Sequence, residues 1–342
     1  MPGALIDVAE LPSPVRVAEA GRSLSLSYWS RGPHGAMTST GAVYVPAGAA
    51  PAGGWPVVVY AHGTVGIADQ CVFSRLLSPH LHREFYPALL RRGYAVLISD
   101  YVGLGTEGVH PYLDGESAAH SLIDGMRAAR AALPELSGTW MVQGQSQGAH
   151  AAFFTSAIAP VDAPELDFRG AAGTGAPGAL ELVLQLAGPE IPALPLIRTT
   201  TYFGLLLSGL RASSPEFDID SYLTETGRYV LRVVENSCLA AAEQQLRGIS
   251  IGEMLLRPLN DSAMQVQLHR MLAIPVTGHT RSLFLGQGLE DLDVPLPLTV
   301  KLLFDLWAAG ADVDFHLYPG DHFDAETGAI PDVLAFIDRV LN

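Results

Sequence analysis

The chain has 342 residues, 49% of them hydrophobic, with 35 acidic against 20 basic side chains and a formal net charge of −15. The apolar share suits a large buried core and is far from a disordered composition. An acidic surface repels phosphate backbones and anionic membrane, which argues against nucleic acid or a charged lipid surface as partner. Two cysteines, Cys71 and Cys238, are too few for a cysteine-rich zinc cage. The longest apolar candidate for a membrane span, Tyr202–Leu210, falls far short of the ~18 residues a span needs. Met1–Glu10 holds no basic segment followed by an apolar stretch, so a cytoplasmic chain is expected, or a secreted one if a leader has been trimmed away.

In chain order, Arg22–Val45 reads as antiparallel strands and Gly48–Gly54 as a loop. Strand-like runs follow at Val57–Ala61, Tyr94–Ser99, Trp140–Gln143, Gly170–Gly173, Ser282–Leu285 and Phe315–Tyr318. Helical patterns separate them at Phe85–Arg92, Ala118–Leu133, Gln147–Ile158, Leu298–Ala309 and Pro331–Leu341. The alternation predicts an α/β fold with a mostly parallel sheet flanked by helices. The unbroken Val57-Val58-Val59 suits a sheet covered on both faces. Between Pro177 and Gly278 the rhythm changes to helices alone: Leu180–Leu186, Leu194–Leu210, Tyr222–Leu246 and Met264–Met271. The expected organisation is a core of residues 1–176 and 279–342, with 177–278 inserted as a helical cap. Such a cap would enclose the C-terminal edge of the sheet, where open α/β sheets bind ligands.

Gly144-Gln-Ser-Gln-Gly148 is a G-x-S-x-G sequence between a strand pattern and a helical one, the setting of a nucleophile elbow. Its glycines suit a turn with no room for a Cβ, and the helix start behind Ser146 offers N–H groups to a developing oxyanion. A serine nucleophile needs a base. His322, in Tyr318-Pro-Gly-Asp-His-Phe323, stands after the last strand, where the Ser…Asp…His order of α/β-hydrolases puts it. Asp291, in Gly288-Leu-Glu-Asp-Leu-Asp-Val-Pro295, is the expected orienting acid, with Glu290 and Asp293 as rivals. The oxyanion donors are expected to be the backbone N–H of Gln147 and that of Thr64, the latter in Ala61-His-Gly-Thr64, with the Thr64 hydroxyl as an assisting group. His62 reads as a structural imidazole, His150 as packed, His80 and His82 as surface residues without a third metal ligand, and Asp100 as loop support. The Gly103-Leu-Gly105 pair lacks the third glycine of a dinucleotide site.

Taken together, Tyr60-Ala-His-Gly-Thr-Val-Gly66, Ala68-Asp-Gln-Cys71, Ser99-Asp-Tyr-Val-Gly-Leu-Gly105, His110-Pro-Tyr-Leu113 and Gly144-Gln-Ser-Gln-Gly148 resemble the secretory lipase family of fungi and actinobacteria. The resemblance runs from about Thr38 to the last helix and is weakest in the cap. It implies an α/β-hydrolase core with a helical cap, hydrolysis of carboxylic esters or triacylglycerols without a cofactor or metal, a Ser146–Asp291–His322 triad, and Thr64 and Gln147 at the oxyanion hole. The elbow departs from the family's usual Gly-Gly at Gly148-Ala149, which implies a helix set slightly further from the sheet. Cys71 resembles a family cysteine that can be bridged; its pairing with Cys238 stays open, since in a reducing cytosol both would be free.

The expected function is hydrolysis of short- to medium-chain acyl esters, with long-chain triglycerides second. An amidase or peptidase, and an acyltransferase to alcohols, are alternatives on the same triad. A ligand-binding protein on an inactive hydrolase fold is the alternative outside enzymes. The expected partner is a small-molecule ester or lipid, with no nucleic acid and no integral membrane segment; oligomeric state is not legible.

Overall fold

The computed structural model describes residues 1–192 and 198–342. Its strands are β1 (Leu5–Glu10), β2 (Ala20–Gly32), β3 (Gly35–Pro46), β4 (Trp55–Ala61), β5 (Ala95–Ser99), β6 (Leu136–Gln145), β7 (Asp167–Thr174), β8 (Leu283–Gly288) and β9 (Val313–Tyr318). They form one nine-stranded sheet in the order β1-β2-β3-β5-β4-β6-β7-β8-β9. The first three strands and the β3–β5 pair are antiparallel, and every later pairing is parallel.

Helices α1 (Tyr86–Arg91), α2 (Gly115–Ala132), α3 (Gln147–Asp162), α10 (Leu296–Ala308), α11 (His322–Gly328) and α12 (Ile330–Leu341) accompany the sheet, and six further helices lie between β7 and β8 among the described residues. Residue alternation along β4 explains the two layers. Val57 and Val59 pack into the apolar cluster under α2, α3 and α10, whereas Val58 and Tyr60 point into the one under α1 and α12. Side chains of a strand alternate faces, so a strand covered on both sides must be apolar throughout.

Helices α4 (Leu180–Leu184), α5 (Thr199–Ser213), α6 (Glu225–Asn236), α7 (Leu239–Gln245), α8 (Ile251–Met254) and α9 (Ser262–Leu272) occupy the stretch read as helical. Residues 194–197 of the expected Leu194–Leu210 helix lie outside the described residues. The expected Tyr222–Leu246 helix is broken in two. Ser237 and Cys238 take extended backbone, Cys238 pairs with Gly66 in a β-bridge, and its sulfur is bonded to that of Cys71. These helices share a third apolar cluster that includes Leu206, Leu231 and Leu268, and Ile67, Tyr112 and Leu113 from loops of the sheet enter it. The loop after β4 is therefore fastened to the helical block by a covalent bond and by the Leu239 N–H donating to the Val65 carbonyl (2.9 Å). No helix among the described residues is long and apolar enough to cross a membrane.

Candidate active site

Ser146 stands between β6 and α3 with φ 57° and ψ −120°, a conformation that is rare for a residue with a Cβ and that stores strain. Its neighbours make that turn feasible. A Cβ at Gly148 would run into the Ala61 carbonyl, and one at Gly144 into the Gly148 carbonyl. Ala149 is fully buried, and the residue beside it on β7 is Gly173, whose added Cβ would stand 3.0 Å from the Ala149 methyl. A glycine on the strand thus makes room for the extra methyl on the helix. Gln147 opens α3, so its N–H has no partner within the helix.

His322 is the first residue of α11. Asp321 caps that helix, its Oδ1 accepting from the N–H groups of Phe323 (2.9 Å) and Asp324 (3.0 Å), while Asp324 accepts in return from the Asp321 N–H (3.2 Å). This reciprocal box fixes the backbone that carries the imidazole. The acid loop after β8 is laced to it: Leu289 N–H donates to Tyr318 O and Glu290 N–H to Gly320 O, both at 2.9 Å.

Of the three acidic candidates only Asp291 reaches the imidazole, its Oδ2 accepting from His322 Nδ1–H at 2.7 Å with both side chains buried. Glu290 is exposed, and Asp293 is paired with Arg198 at 2.9 Å. The other oxygen of Asp291 accepts from the N–H groups of Asp293 (2.9 Å) and Val294 (2.8 Å). Gln287, fully buried, was missed from sequence. Its Nε2 donates to Asp291 Oδ2 (3.0 Å) and Val294 O (2.9 Å), and its Oε1 accepts from Thr299 Oγ1 (2.7 Å). The signal available was a polar residue inside an otherwise apolar and glycine strand.

The opposite nitrogen of His322, Nε2, is buried without a partner, and the ring lines a cavity of about 170 Å³ together with Ser146 and Thr64. Thr64 Oγ1 lies 2.7 Å from the Tyr112 hydroxyl. A second cavity of about 410 Å³ also reaches Ser146. It is lined by Gln147 and Tyr112 and by apolar side chains including Leu180, Leu184, Phe203, Leu206 and Leu298.

Gly175 is the position most tightly constrained by the imidazole. It has φ +59°, and a Cβ there would stand 2.6 Å from Cε1 and 2.8 Å from Nδ1 of His322. Gly175→Ala is expected to displace the ring from Asp291, lowering kcat by about 100-fold. It should also cost roughly 1–2 kcal/mol of stability from the left-handed backbone. Steady-state kinetics and a urea melt check both.

The remaining histidines of this region are structural, with one correction. His62 is buried and holds its loop through Nδ1–H to Gly63 O (2.7 Å). His150 is buried and donates to Leu272 O (3.0 Å). Asp100 accepts from Ser74 and Thr40. His82, however, is not a surface residue: it is buried and bonds Ser78 O (3.0 Å), while His80 is half-buried, lines the smaller cavity and lies 3.5 Å from the exposed Glu84. Among the described residues no group of three or more His, Cys, Asp or Glu side chains is placed to hold a metal ion.

Burial lowers His62, His110 and His150 each to about 4. Unfolded, they titrate near 6.5. The unfolded chain therefore binds more protons between pH ~6.5 and ~4, and stability falls as pH drops through that window. Going from pH 7 to 5 should cost about 2 kcal/mol per histidine, on the order of 6 kcal/mol for the three. Asp100 and Glu326, raised by burial, act in the opposite sense. Urea midpoints at the two pH values, with each histidine replaced in turn, check the assignment.

Residues 81–257 match the family model described as secretory lipase. Lipase A of Moesziomyces aphidis is 25% identical over 271 residues, 74% of this chain, and this chain spans 55% of that protein's length. The closed-state structure of Candida antarctica lipase A superposes with a TM-score of 0.82 at 20% identity, covering all of this chain and 82% of that one. The ligand-bound rice cell wall degrading esterase LipA of Xanthomonas oryzae superposes with a TM-score of 0.78 at 20% identity, covering 100% and 99% of the two chains. At these identities the likeness is one of fold, and that fold is the α/β-hydrolase fold.

Proposed function

This chain belongs to the secretory lipase family, and from that premise we propose that it is a serine carboxylic-ester hydrolase acting on short- to medium-chain acyl esters. The observation that carries this reading is a histidine bonded to a buried carboxylate at 2.7 Å, its other nitrogen unpartnered and its ring lining the same cavity as a serine on a strained elbow. Ser146 Oγ attacks the ester carbonyl carbon as His322 Nε2 takes its proton. The N–H groups of Gln147 and Thr64 receive the oxyanion. The carbon–alkoxide bond then breaks, and the imidazolium returns the proton to the leaving oxygen. Water, deprotonated by His322, attacks the acyl-serine, and collapse of that adduct frees the acid and the serine. Asp291 keeps the Nδ1–H tautomer and stabilises the imidazolium. The helical block 177–278 acts as a cap supplying the apolar wall of the larger cavity, in which the acyl chain lies.

Secretion belongs to the same reading. It is supported by the family and by the Cys71–Cys238 bridge, which persists in an oxidising compartment. The expectation of a cytoplasmic chain has no comparable support.

The direct test is a fluorophosphonate probe followed by peptide mapping. One adduct per chain, on Ser146, is the expected result; an unlabelled Ser146 beside a labelled serine elsewhere would overturn the assignment. Faster turnover of an anilide than of the matching ester would move the substrate class to amides.

A further inference from the structure

Ser146 lies where two cavities meet. The larger is apolar and does not contain His322; the smaller does contain it, with His80, Gln145 and Glu326 set among apolar side chains such as Phe73, Leu81 and Phe323. The ester-hydrolase reading, on which this inference rests, decides which substrate half goes where. His322 must protonate the departing alkoxide, so the alcohol leaves on the His322 side and the acyl chain occupies the apolar side.

The smaller cavity holds hydrogen-bonding groups that lack partners. Gln145, only 5% exposed, immediately precedes the nucleophile, and its Nε2 is buried with no acceptor. His80 Nε2 is likewise buried and unpartnered. Glu326 lies one helical turn after His322 and accepts from the Tyr60 hydroxyl at 3.2 Å. His80 itself precedes a π-helical turn, Leu81–Phe85, a rare geometry that recurs at functional sites. Unsatisfied buried polar atoms are costly, and a site built around them rejects a ligand that cannot pair with them. An alkyl leaving group would strand them; a hydroxylated one would pair with them. Among the described residues no Lys or Arg lines the smaller cavity to receive a phosphate-bearing alcohol. A cavity of about 150 Å³ holds benzene, so one of about 170 Å³ admits a group of similar size, that of a three-carbon polyol.

We propose that the smaller cavity is a leaving-group subsite for a neutral polyol, making the preferred substrates esters whose alcohol carries free hydroxyls, with Gln145 and His80 as the specificity-determining residues. The test compares 2,3-dihydroxypropyl butanoate with propyl butanoate, which share acyl group and carbon skeleton. The expected kcat/KM ratio favours the dihydroxy ester by ~10-fold or more, the worth of one or two hydrogen bonds. Gln145→Leu and His80→Phe, on separate elements, should each bring that ratio toward one. A ratio is independent of the folded fraction, so a partly misfolded variant still reports. A wild-type ratio at or below one, or a ratio that neither variant changes, overturns the subsite while leaving ester hydrolysis intact. Turnover of neither ester by the wild type, with Ser146 unlabelled by fluorophosphonate, overturns the hydrolase reading and the subsite with it.

Discussion

Ser146→Ala is expected to lower kcat on p-nitrophenyl esters by about 10⁶-fold, the scale seen when a serine hydrolase loses its nucleophile. The methyl that replaces the hydroxymethyl group keeps the elbow's volume, and the N–H groups proposed as oxyanion donors belong to Gln147 and Thr64. What survives should therefore be the modest water-attack catalysis supplied by those donors and by binding, roughly 10³–10⁴ over the uncatalysed reaction. The alanine leaves the strain of the turn unchanged, because φ 57° is no easier for it than for serine and no hydroxyl hydrogen bond is lost. Thermal melting should accordingly stay close to wild type. An acetate-to-palmitate series with the wild type sizes the acyl cavity at the same time. Wild-type turnover by the alanine variant would sink the assignment of Ser146.

Asp291→Asn should lower kcat by about 10⁴-fold with the fold intact. The direction follows from the donors around the carboxylate. Oδ1 accepts from two backbone N–H groups, those of Asp293 and Val294, and neither can turn away. In asparagine the carbonyl oxygen must stay there, which puts the amide NH₂ where Oδ2 was. That NH₂ then faces two further donors, His322 Nδ1–H and Gln287 Nε2. His322 can accept only by moving its proton to Nε2, the nitrogen that has to receive the serine proton, so the base is blocked by its own tautomer. Gln287 is left with a donor facing a donor, or flips its amide and gives up the bond from Thr299. Gln287→Leu should weaken the same arrangement less, since the two backbone donors still hold the carboxylate. Equal kcat for Asp291→Asn and wild type on the ester series would remove Asp291 from the mechanism.

Much of this molecule was legible as local chemistry. Val57–Ala61 and Tyr94–Ser99 are continuous apolar runs whose only stable setting is a doubly covered sheet, and both are strands there. The elbow was legible because its glycines answer a backbone demand written within five residues: no Cβ fits at Gly144 or Gly148. The order of Ser146, Asp291 and His322 along the chain was read from the loops after successive strands together with the Ser…Asp…His order of the fold. β1 escaped because it is an edge strand with five of its six residues exposed, so no buried face imprints a pattern on it.

What the sequence by itself determined, then, is the alternation of strands and helices, the elbow at Ser146 and the position of His322, all of which depend on dihedral demands and periodicities between near neighbours. Only the tertiary structure shows which of Glu290, Asp291 and Asp293 meets His322, because all three are acidic loop residues and only the approach of two loops brings one of them to the imidazole. It decided the break at Cys238, where apolar periodicity continues but a bridge to Cys71 and pairing with Gly66 hold the backbone extended. It decided that His80 faces a cavity and His82 is buried, and that Gln287 braces the acid. Each of these is a contact between segments far apart in the chain, and residue type and spacing carry no record of which distant atoms will meet.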